Sequence, residues 1–493
     1  MLFNSIEFLF YLPIVFLFYW YVFQRNLHLQ NLFIVIVSYI FYGWWDWRFL
    51  LLIAFTSFLS WFSGVCIDMV RRSHKSVSSV HIWCKGITIV NIGINLAILG
   101  LFKYYAFFVE SFINAFDSVG ISLSAPSLNL ILPVGISFYT FQALSYTIDV
   151  YKKKLTPTHD IVAFFAYVSF FPQLVAGPIE RATNLLPQFY RSRQFDYSQA
   201  VDGMRQILWG MFKKVVIADN CATMVNIIFE NYQQANSAML LMGAFFFTFQ
   251  IYGDFSGYSD IAIGTARLFG IELKRNFHYP YFSRDVAEFW RRWHISLNTW
   301  FRDYVYIPLG GSRCSKIKQF RNTMVIFVLS GLWHGANWTY VTWGVYHALL
   351  FLPLLFSKNN RRYLGGVAEG KTLPSWKEGF QILITFGCIL LGWILFRAET
   401  MGQAVEYIKN IFINSPMRLP NIGDLGLSFI VFIGTIFFIA IFLIIEWLQR
   451  SKEYALQIEN ISSAFLRRVI YFVVLLPIIF FPGKQAVFIY FQF

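Results

Sequence analysis

The sequence predicts an all-α, polytopic integral membrane protein. Hydrophobic residues make up 57% of its 493 residues and charged residues only 13%, about half the charged share of a soluble domain. Mean hydropathy is +0.54. Windows of about 20 apolar residues, each long enough to cross the hydrocarbon core of a bilayer, recur along the whole chain. The helical membrane class follows from these observations together.

Candidate spans are placed where these windows occur. They run at about 6–23, 29–44, 48–68, 86–108, 130–149, 160–176, 204–222, 238–268, 323–340, 341–357, 379–396, 427–447 and 468–483. Some are too short or too interrupted to cross fully, so we expect about 11 transmembrane helices with additional re-entrant and interfacial helices. No internal repeat and no Gly/Ser linker divides the chain, so a single domain over 1–493 is predicted.

Basic loops orient the spans. Arg25 follows the first span, Arg71 and Arg72 follow the third, and the lysine triplet 152–154 follows the fifth, whereas 110–127 holds two acids and no base. Because cytoplasmic loops are rich in Lys and Arg, an outside amino terminus is predicted. The first span lacks a basic n-region and a cleavage site, so we expect it to be a retained helix.

The net charge of +14 is assigned to cytoplasmic loops and their contact with anionic headgroups. Nucleic-acid binding is not expected, because the sequence has no soluble basic domain. The cysteines are scattered without a Cys-x-x-Cys pair: Cys66, Cys84, Cys221, Cys314 and Cys388. Neither a disulfide framework nor a zinc site is predicted, and no metal or permanently bound cofactor is expected.

His334 is the candidate reactive centre. It stands in the run GLWHGANW at 331–338, inside a stretch from 322 to 357 without Asp, Glu, Lys or Arg. Ionisable groups at membrane depth are costly and usually serve chemistry or transport. An imidazole suits a general base near neutral pH. Gly331 and Gly335 predict a close backbone approach or a helix break beside it.

One aromatic and basic stretch, 274–321, interrupts the apolar pattern. On a helix, Trp290, Trp293 and Leu297 share one face, which predicts an amphipathic helix in the cytoplasmic interface. His294 lies in this run. Simple interfacial anchoring is the competing interpretation of the segment.

Further polar groups sit in apolar context. Asp254 and Asp260 are interpreted as structural partners of Arg or Lys in 274–321, with a proton relay as the alternative. His347 is interpreted as a packing residue whose hydrogen bonds are satisfied. Pro and Gly in FPQLVAGPIER at 171–181 predict a short or re-entrant segment.

Four ordered motifs carry a family resemblance: QLVAGPIER at 173–181, YGDFSGYSD at 252–260, EFWRRWHISL at 288–297 and GLWHG at 331–335. They resemble the membrane-bound O-acyltransferase (MBOAT) family, in particular the bacterial branch of AlgI-like alginate O-acetyltransferases and DltB-like D-alanyl transferases. The runs LPVGISFYTFQ at 132–142 and MLFNS at 1–5 are also similar to that branch. The resemblance extends to about residue 350, and later residues match only in hydrophobic pattern.

The resemblance implies a ring of helices with a central tunnel, a catalytic core at about 130–350, and a bacterial inner-membrane location. It implies His334 as catalytic base and His294 as a second catalytic residue that orients the donor or stabilises charge. The implied donor is acetyl-CoA, and the implied partner is an extracytoplasmic SGNH-type transferase that acetylates a polysaccharide. Candidate donor- or substrate-binding residues are Arg291, Arg292, Arg302, Trp293, Trp333, Asn337, Ser296, Asp254 and Tyr258.

The sequence leaves three other interpretations of the protein open. A proton-coupled transporter would explain an intramembrane histidine and two aspartates, but not the aromatic-basic segment. A non-catalytic scaffold of an export complex predicts that changes at His334 are silent. Within the enzyme interpretation, a phosphopantetheinyl carrier protein could replace CoA as donor.

Overall fold

The computed structural model describes residues 1–73, 76–123, 130–414 and 428–491, and these ranges are helical without β-strand. The all-α prediction is confirmed for this part of the chain. The α-helices are α1 (Ile6–Leu17), α2 (Leu27–Gly43), α3 (Leu50–Arg72), α4 (Val77–Leu99), α5 (Tyr105–Asp117), α6 (Ile136–Tyr151), α7 (Ile161–Ser169), α8 (Phe171–Leu174), α9 (Ala182–Leu185), α10 (Tyr197–Met211), α11 (Asp219–Glu230), α12 (Ser237–Leu268), α13 (Val286–Arg292), α14 (Ile295–Phe301), α15 (Lys316–His334), α16 (Trp338–Phe356), α17 (Trp376–Arg397), α18 (Met401–Ile413), α19 (Phe429–Leu448) and α20 (Ala464–Phe480). The five cysteines are free.

Six helices in the described ranges are long and apolar enough to cross a membrane, which supports a multi-pass membrane protein. They are Trp47–Arg72, Val77–Asp117, Ser237–Leu268, Trp338–Phe356, Trp376–Arg397 and Phe429–Leu448. Two shorter apolar helices cover Ile6–Val22 and Leu27–Gly43. The predicted number of about 11 spans is therefore not confirmed.

Interrupted helices explain part of this difference. The predicted span 160–176 divides at Phe170 into α7 and the four-residue α8. The predicted span 204–222 holds a π-helical segment, Phe212–Ala218, between α10 and α11. The predicted span 323–340 ends at His334, and the next helix begins at Trp338.

The described chain groups into two compact units. Unit 1 comprises Met1–Val201 with Thr265–Lys274, and unit 2 comprises Asp202–Gly264 with Arg275–Phe493. The boundary falls within α10 and within α12. The prediction of one domain over 1–493 stays a prediction.

Unit 1 is built from packed helices with polar side chains between them. In α3 and α4, the Asn91 side-chain amide donates to the hydroxyl of Ser63 at 3.1 Å. Tyr42 in α2 donates its hydroxyl to the carbonyl of Val134 at 2.8 Å. Arg193 is buried and donates to Gln30 in α2 at 3.2 Å. Such bonds join helices in an apolar environment, where the hydrophobic effect contributes little to their association.

In unit 2, α15 and α16 form a closely packed hairpin, and glycines permit the approach. A Cβ at Gly331 or Gly335 would overlap Tyr340, and a Cβ at Gly344 would overlap the Phe327 carbonyl oxygen. The chain is also extended after α15, with Gly335 at φ −171°. Both features predicted for Gly331 and Gly335, a close approach and a helix break, are present.

The predicted interfacial helix over 288–297 is wrong as a continuous element. It divides into α13 and α14 because Trp293 is extended and His294 adopts a left-handed backbone conformation, φ 44°. Trp290, Trp293 and Leu297 are each at most 8% exposed. Their side chains therefore belong to the interior of unit 2 rather than to a lipid-facing stripe.

Candidate active site

Asn276 holds His294 at the break between α13 and α14. The Asn276 backbone carbonyl accepts the N–H of Ile295 at 2.9 Å, and its side-chain Oδ1 lies 3.1 Å from His294 Nδ1. The Ser296 hydroxyl donates to the same Oδ1 at 2.8 Å. A carbonyl oxygen can only accept, so His294 Nδ1 carries the proton and Nε2 carries the lone pair.

The Nε2 atom of His294 is buried and has no hydrogen-bond partner within the described ranges. Burial lowers the pKa of His294 well below its usual value, and the nearby His334 lowers it further. The imidazole is therefore neutral at physiological pH.

His334 ends α15 and faces the same interior. Its Nδ1 lies 2.6 Å from the backbone carbonyl oxygen of Ser330, so Nδ1 donates and Nε2 is the basic nitrogen. The centroids of the His294 and His334 rings lie 6.3 Å apart, with the ring planes at 75°. The structure thus brings together the two histidines that the sequence singles out.

Aromatic rings enclose the pair. Trp343 and Phe396 lie 5.0 and 5.4 Å from the His334 ring, and Trp333 lies 5.5 Å from the His294 ring. Such walls exclude water and strengthen electrostatic interactions in the site. The His334 side chain, which is 3% exposed, therefore lies in a desolvated environment.

The carboxyl-terminal segment supplies one further wall, which sequence reasoning missed. The Tyr490 ring lies 4.1 Å from Phe255, 5.8 Å from His334 and 6.3 Å from His294. Phe488 lies 4.7 Å from Tyr258, one of the predicted binding residues. Tyr490 adds a phenol hydroxyl to walls that are otherwise mainly apolar.

The predicted arginines have partners within the chain. Arg291 donates to the carbonyls of Asn360 and Tyr363 at 2.6 and 2.7 Å. Arg292 donates to Glu288 at 2.7 Å. Both help to build the local fold. Arg302 differs, because its side chain is 58% exposed and pairs with the adjacent Asp303.

Three of the other predicted binding residues have packing or hydrogen-bond contacts within the chain. Trp293 is buried, 4.9 Å from Trp393, and Ser296 helps to hold Asn276. Asn337 accepts the Thr339 N–H at the start of α16 and donates to the Glu399 carbonyl. Binding roles for these residues, and for Trp333, Asp254 and Tyr258, stay predictions.

The two aspartates do pair with lysines, but the predicted location of the partners is wrong. Lys213 lies 2.5 Å from Asp260, and Lys214 lies 2.7 Å from Asp254. Both lysines belong to the π-helical segment Phe212–Ala218, not to 274–321. A π-helical turn places adjacent residues so that each reaches a different position on α12. A lysine pair inside the predicted span 204–222 was the signal that could have found them.

His347 is buried against Trp290 and Trp343, with ring centroids 5.0 and 5.1 Å away. Neither of its ring nitrogens has a hydrogen-bond partner in the described ranges. The prediction of a packing residue agrees with these contacts, whereas the expected satisfied hydrogen bonds are not found.

Comparison with known proteins gives the same assignment as the motifs. Residues 151–396 match the membrane-bound O-acyltransferase family. The chain is 37% identical over 428 residues to a probable alginate O-acetylase AlgI of Pseudomonas aeruginosa, covering 87% of this chain and 78% of that protein. It is 32% identical over 441 residues to a peptidoglycan O-acetyltransferase of Helicobacter pylori, covering 83% and 80%.

A more distant relative is a teichoic acid D-alanyltransferase of Bacillus subtilis, 30% identical over 292 residues, covering 56% of this chain and 71% of that protein. All six of the candidate residues between 288 and 302 and the GLWHG motif lie within the family match. This chain therefore belongs to the membrane-bound O-acyltransferase family and is an acyltransferase.

Proposed function

We propose that the protein moves an acetyl group from cytoplasmic acetyl-CoA across the membrane for O-acetylation of an extracytoplasmic polysaccharide. The polymer is an alginate-like exopolysaccharide or peptidoglycan. Support comes from two relatives named for acetylation of these polymers, each similar over more than four fifths of this chain. The observation that carries the chemistry is the buried pair of His294 and His334, whose ring centroids lie 6.3 Å apart.

In the proposed reaction, His334 Nε2 takes the proton of an attacking hydroxyl. The hydroxyl oxygen bonds to the thioester carbonyl carbon, the carbon–sulfur bond breaks, and the departing thiolate recovers the proton from His334. The products are an O-acetyl ester and the free thiol. The aromatic enclosure excludes water, which would otherwise hydrolyse the thioester.

The hydrogen bonds of His294 favour one of its two candidate roles. Its Nδ1 proton is directed to Asn276, so the nitrogen that remains, Nε2, accepts a hydrogen bond and cannot donate one. Stabilising an oxyanion needs a hydrogen-bond donor. We therefore assign His294 to orienting the acyl donor or the attacking hydroxyl, from which its Nε2 accepts a hydrogen bond.

The proposed topology has about 11 transmembrane helices around a tunnel in the bacterial inner membrane, with a cytoplasmic donor pocket and an outer acceptor site. An SGNH-type transferase outside the membrane is the proposed partner that delivers the acetyl group to the polymer. Multiple apolar helices and the family are consistent with this arrangement.

A carrier-protein donor is the second candidate, because teichoic acid D-alanyltransferases are also relatives. Acetyl-CoA is preferred because the acetyltransferase relatives match far more of this chain. A transporter is not proposed, since the chain belongs to an acyltransferase family.

Inverted membrane vesicles, with the cytoplasmic face outward, test the donor. They receive labelled acetyl-CoA or, separately, a labelled acyl carrier protein, and alkali-labile label is measured in the polymer and protein fractions. We expect label from acetyl-CoA only, and none in vesicles with His334→Ala. Label from the carrier protein alone would overturn the acetyl-CoA assignment in favour of the second candidate.

A further inference from the structure

The segment that carries Tyr490 follows α20 and is fixed within unit 2 along its length. The Asn220 side-chain amide donates to the Phe481 carbonyl at 3.2 Å. The Gly483 N–H donates to the Val215 carbonyl at 3.0 Å. A Cβ at Gly483 would overlap the backbone at Asn220, so this passage requires a glycine.

A buried charge cluster lies beside this segment. Lys214 Nζ lies 2.8 Å from Asp219 Oδ1 and 2.7 Å from Asp254 Oδ1. The three side chains are 7%, 2% and 3% exposed. Removing three charges from water is costly, and apolar residues of similar size often hold a core together equally well. Packing alone therefore does not explain why three charged side chains are buried here.

The contacts of the cluster with residues 481–491 supply that reason. Asp254 Oδ2 accepts the Ile489 N–H at 2.7 Å. Lys214 Nζ donates to the Ala486 carbonyl at 3.2 Å. All three charged side chains contact the segment, since Asp219 Oδ1 lies 3.4 Å from the Ala486 nitrogen. All of these contacts are with backbone N–H or C=O groups of the segment, so they do not depend on its side chains.

The bond from Ile489 sets the position of its neighbour. Tyr490 follows the residue that is hydrogen-bonded to Asp254, so the backbone immediately before Tyr490 cannot move without breaking that bond. From this anchor the Tyr490 ring reaches both catalytic histidines. Asp254 is one residue from Phe255, on which the Tyr490 ring packs at 4.1 Å.

We propose that Lys214, Asp219 and Asp254 form a clamp of positioning residues that holds residues 483–491 so that Tyr490 completes the acyl-transfer site. This inference rests on the proposed function and extends it. In this proposal Asp254 acts as a positioning residue in place of the binding role predicted from the sequence, and the clamp touches neither donor nor acceptor. It acts on the reaction only through the placement of Tyr490 against His294 and His334.

Two variants test the clamp in the full-length protein. Lys214→Met removes its cation. Ile489→Pro leaves the charges paired and removes the N–H that Asp254 accepts, although it also replaces the buried Ile489 side chain. The position is the first residue of a 3₁₀ turn (Ile489–Phe491), where proline is tolerated. Ile489→Leu keeps the N–H, and Val487→Ala changes a 57% exposed side chain of the same segment; both are controls.

We expect kcat for acetyl transfer to fall at least tenfold in Lys214→Met and in Ile489→Pro, with KM for acetyl-CoA within twofold of wild type. Lys214→Arg restores at least part of kcat, and both controls retain it. Tyr490→Ala alone lowers kcat. When Lys214→Met is added to it, we expect kcat to fall by less than a further twofold. Independent, multiplying losses would overturn the proposal, as would wild-type kcat in Ile489→Pro.

A labelling experiment measures how accessible the segment is to a thiol reagent, and it does not depend on acyl transfer. Ile489→Cys places a thiol at a site that is 2% exposed and keeps the backbone N–H. Its rate of maleimide labelling, followed by mass spectrometry of the carboxyl-terminal peptide, is expected to rise at least tenfold when Lys214→Met is added. An unchanged rate would overturn the clamp, whereas failure of the proposed function would leave the labelling result intact.

Discussion

Nδ1 of His294 lies 3.1 Å from the side-chain oxygen of Asn276, and this contact fixes which nitrogen of the imidazole faces the active site. The backbone carbonyl of Ser330 fixes His334 in the same way. Each histidine therefore presents Nε2 with its lone pair toward the site. Two histidines held in the same tautomer by different partners give the site two acceptors and no imidazole donor, which suits proton removal from a hydroxyl.

Asn276→Asp should move the pH dependence of acyl transfer. In the wild type, burial lowers the pKa of His294 well below its usual value, which favours the neutral imidazole. A carboxylate 3 Å from Nδ1 favours the imidazolium and raises the pKa by about 1–3 units. We expect the acid limb of the pH–kcat profile to move to higher pH.

Asn276→Ala is the control for that experiment, because it removes the acceptor without adding a charge. It should lower kcat and leave the acid limb where the wild type has it. An Asn276→Asp profile identical in shape to that of the wild type would show that His294 does not need to be neutral.

Gly331→Ala should disrupt the hairpin that places His334. The new Cβ would overlap the backbone carbonyl oxygen of Tyr340, which cannot rotate away as a side chain can. Overpacking of this kind costs about 1–3 kcal/mol. Thermal unfolding in detergent should show a lower Tm, with reduced acyl transfer in the protein that remains folded.

The matched control is Gly387→Ala in α17, where a Cβ meets nothing within 4 Å. Alanine there should be neutral or stabilising, because glycine is the poorer helix former by about 1 kcal/mol. Equal effects of the two substitutions would mean that the close approach of α15 and α16 is not what positions His334.

Arg302→Ala should weaken donor binding if this arginine attracts the phosphates of CoA. Among the three predicted arginines it is the most exposed, at 58% of its side chain, and it pairs with the neighbouring Asp303. We expect KM for acetyl-CoA to rise several-fold with kcat unchanged, and the difference from wild type to shrink at high salt.

Arg48→Ala is the matched control, since Arg48 is also 58% exposed and pairs with a nearby aspartate, Asp46. It should leave KM unchanged. If both variants raise KM equally, the effect belongs to general surface charge, and the assignment of Arg302 to the donor pocket is wrong.

Local sequence context was sufficient to select the two histidines that the structure brings together, but not the residues that hold them. His334 was conspicuous in an apolar, glycine-flanked run, and His294 in an aromatic-basic one. The left-handed backbone at His294 was not foreseeable, because left-handed non-glycine residues depend on surrounding structure. It converted the predicted helix over 288–297 into two short ones and turned His294 inward.

Long-range contacts account for the remaining omissions. Tyr490 lies in an aromatic run near the carboxyl end, where no polar pattern distinguishes it from a membrane-facing residue. Lys214 was hidden within an apparent span, and its π-helical backbone could not be inferred from hydropathy. Both are positioned by contacts with α12, which the sequence does not specify.

Alkali-released acetate from the surface polymers tests the central claim most directly. Cells carrying wild-type protein, His334→Ala or the exposed-histidine control His159→Ala are compared at matched membrane levels. Because general base catalysis contributes about 10²–10⁴-fold, we expect acetate to fall to background in His334→Ala and to stay at the wild-type level in His159→Ala. Wild-type acetate in His334→Ala would contradict the account, since the buried His334 would then be structural.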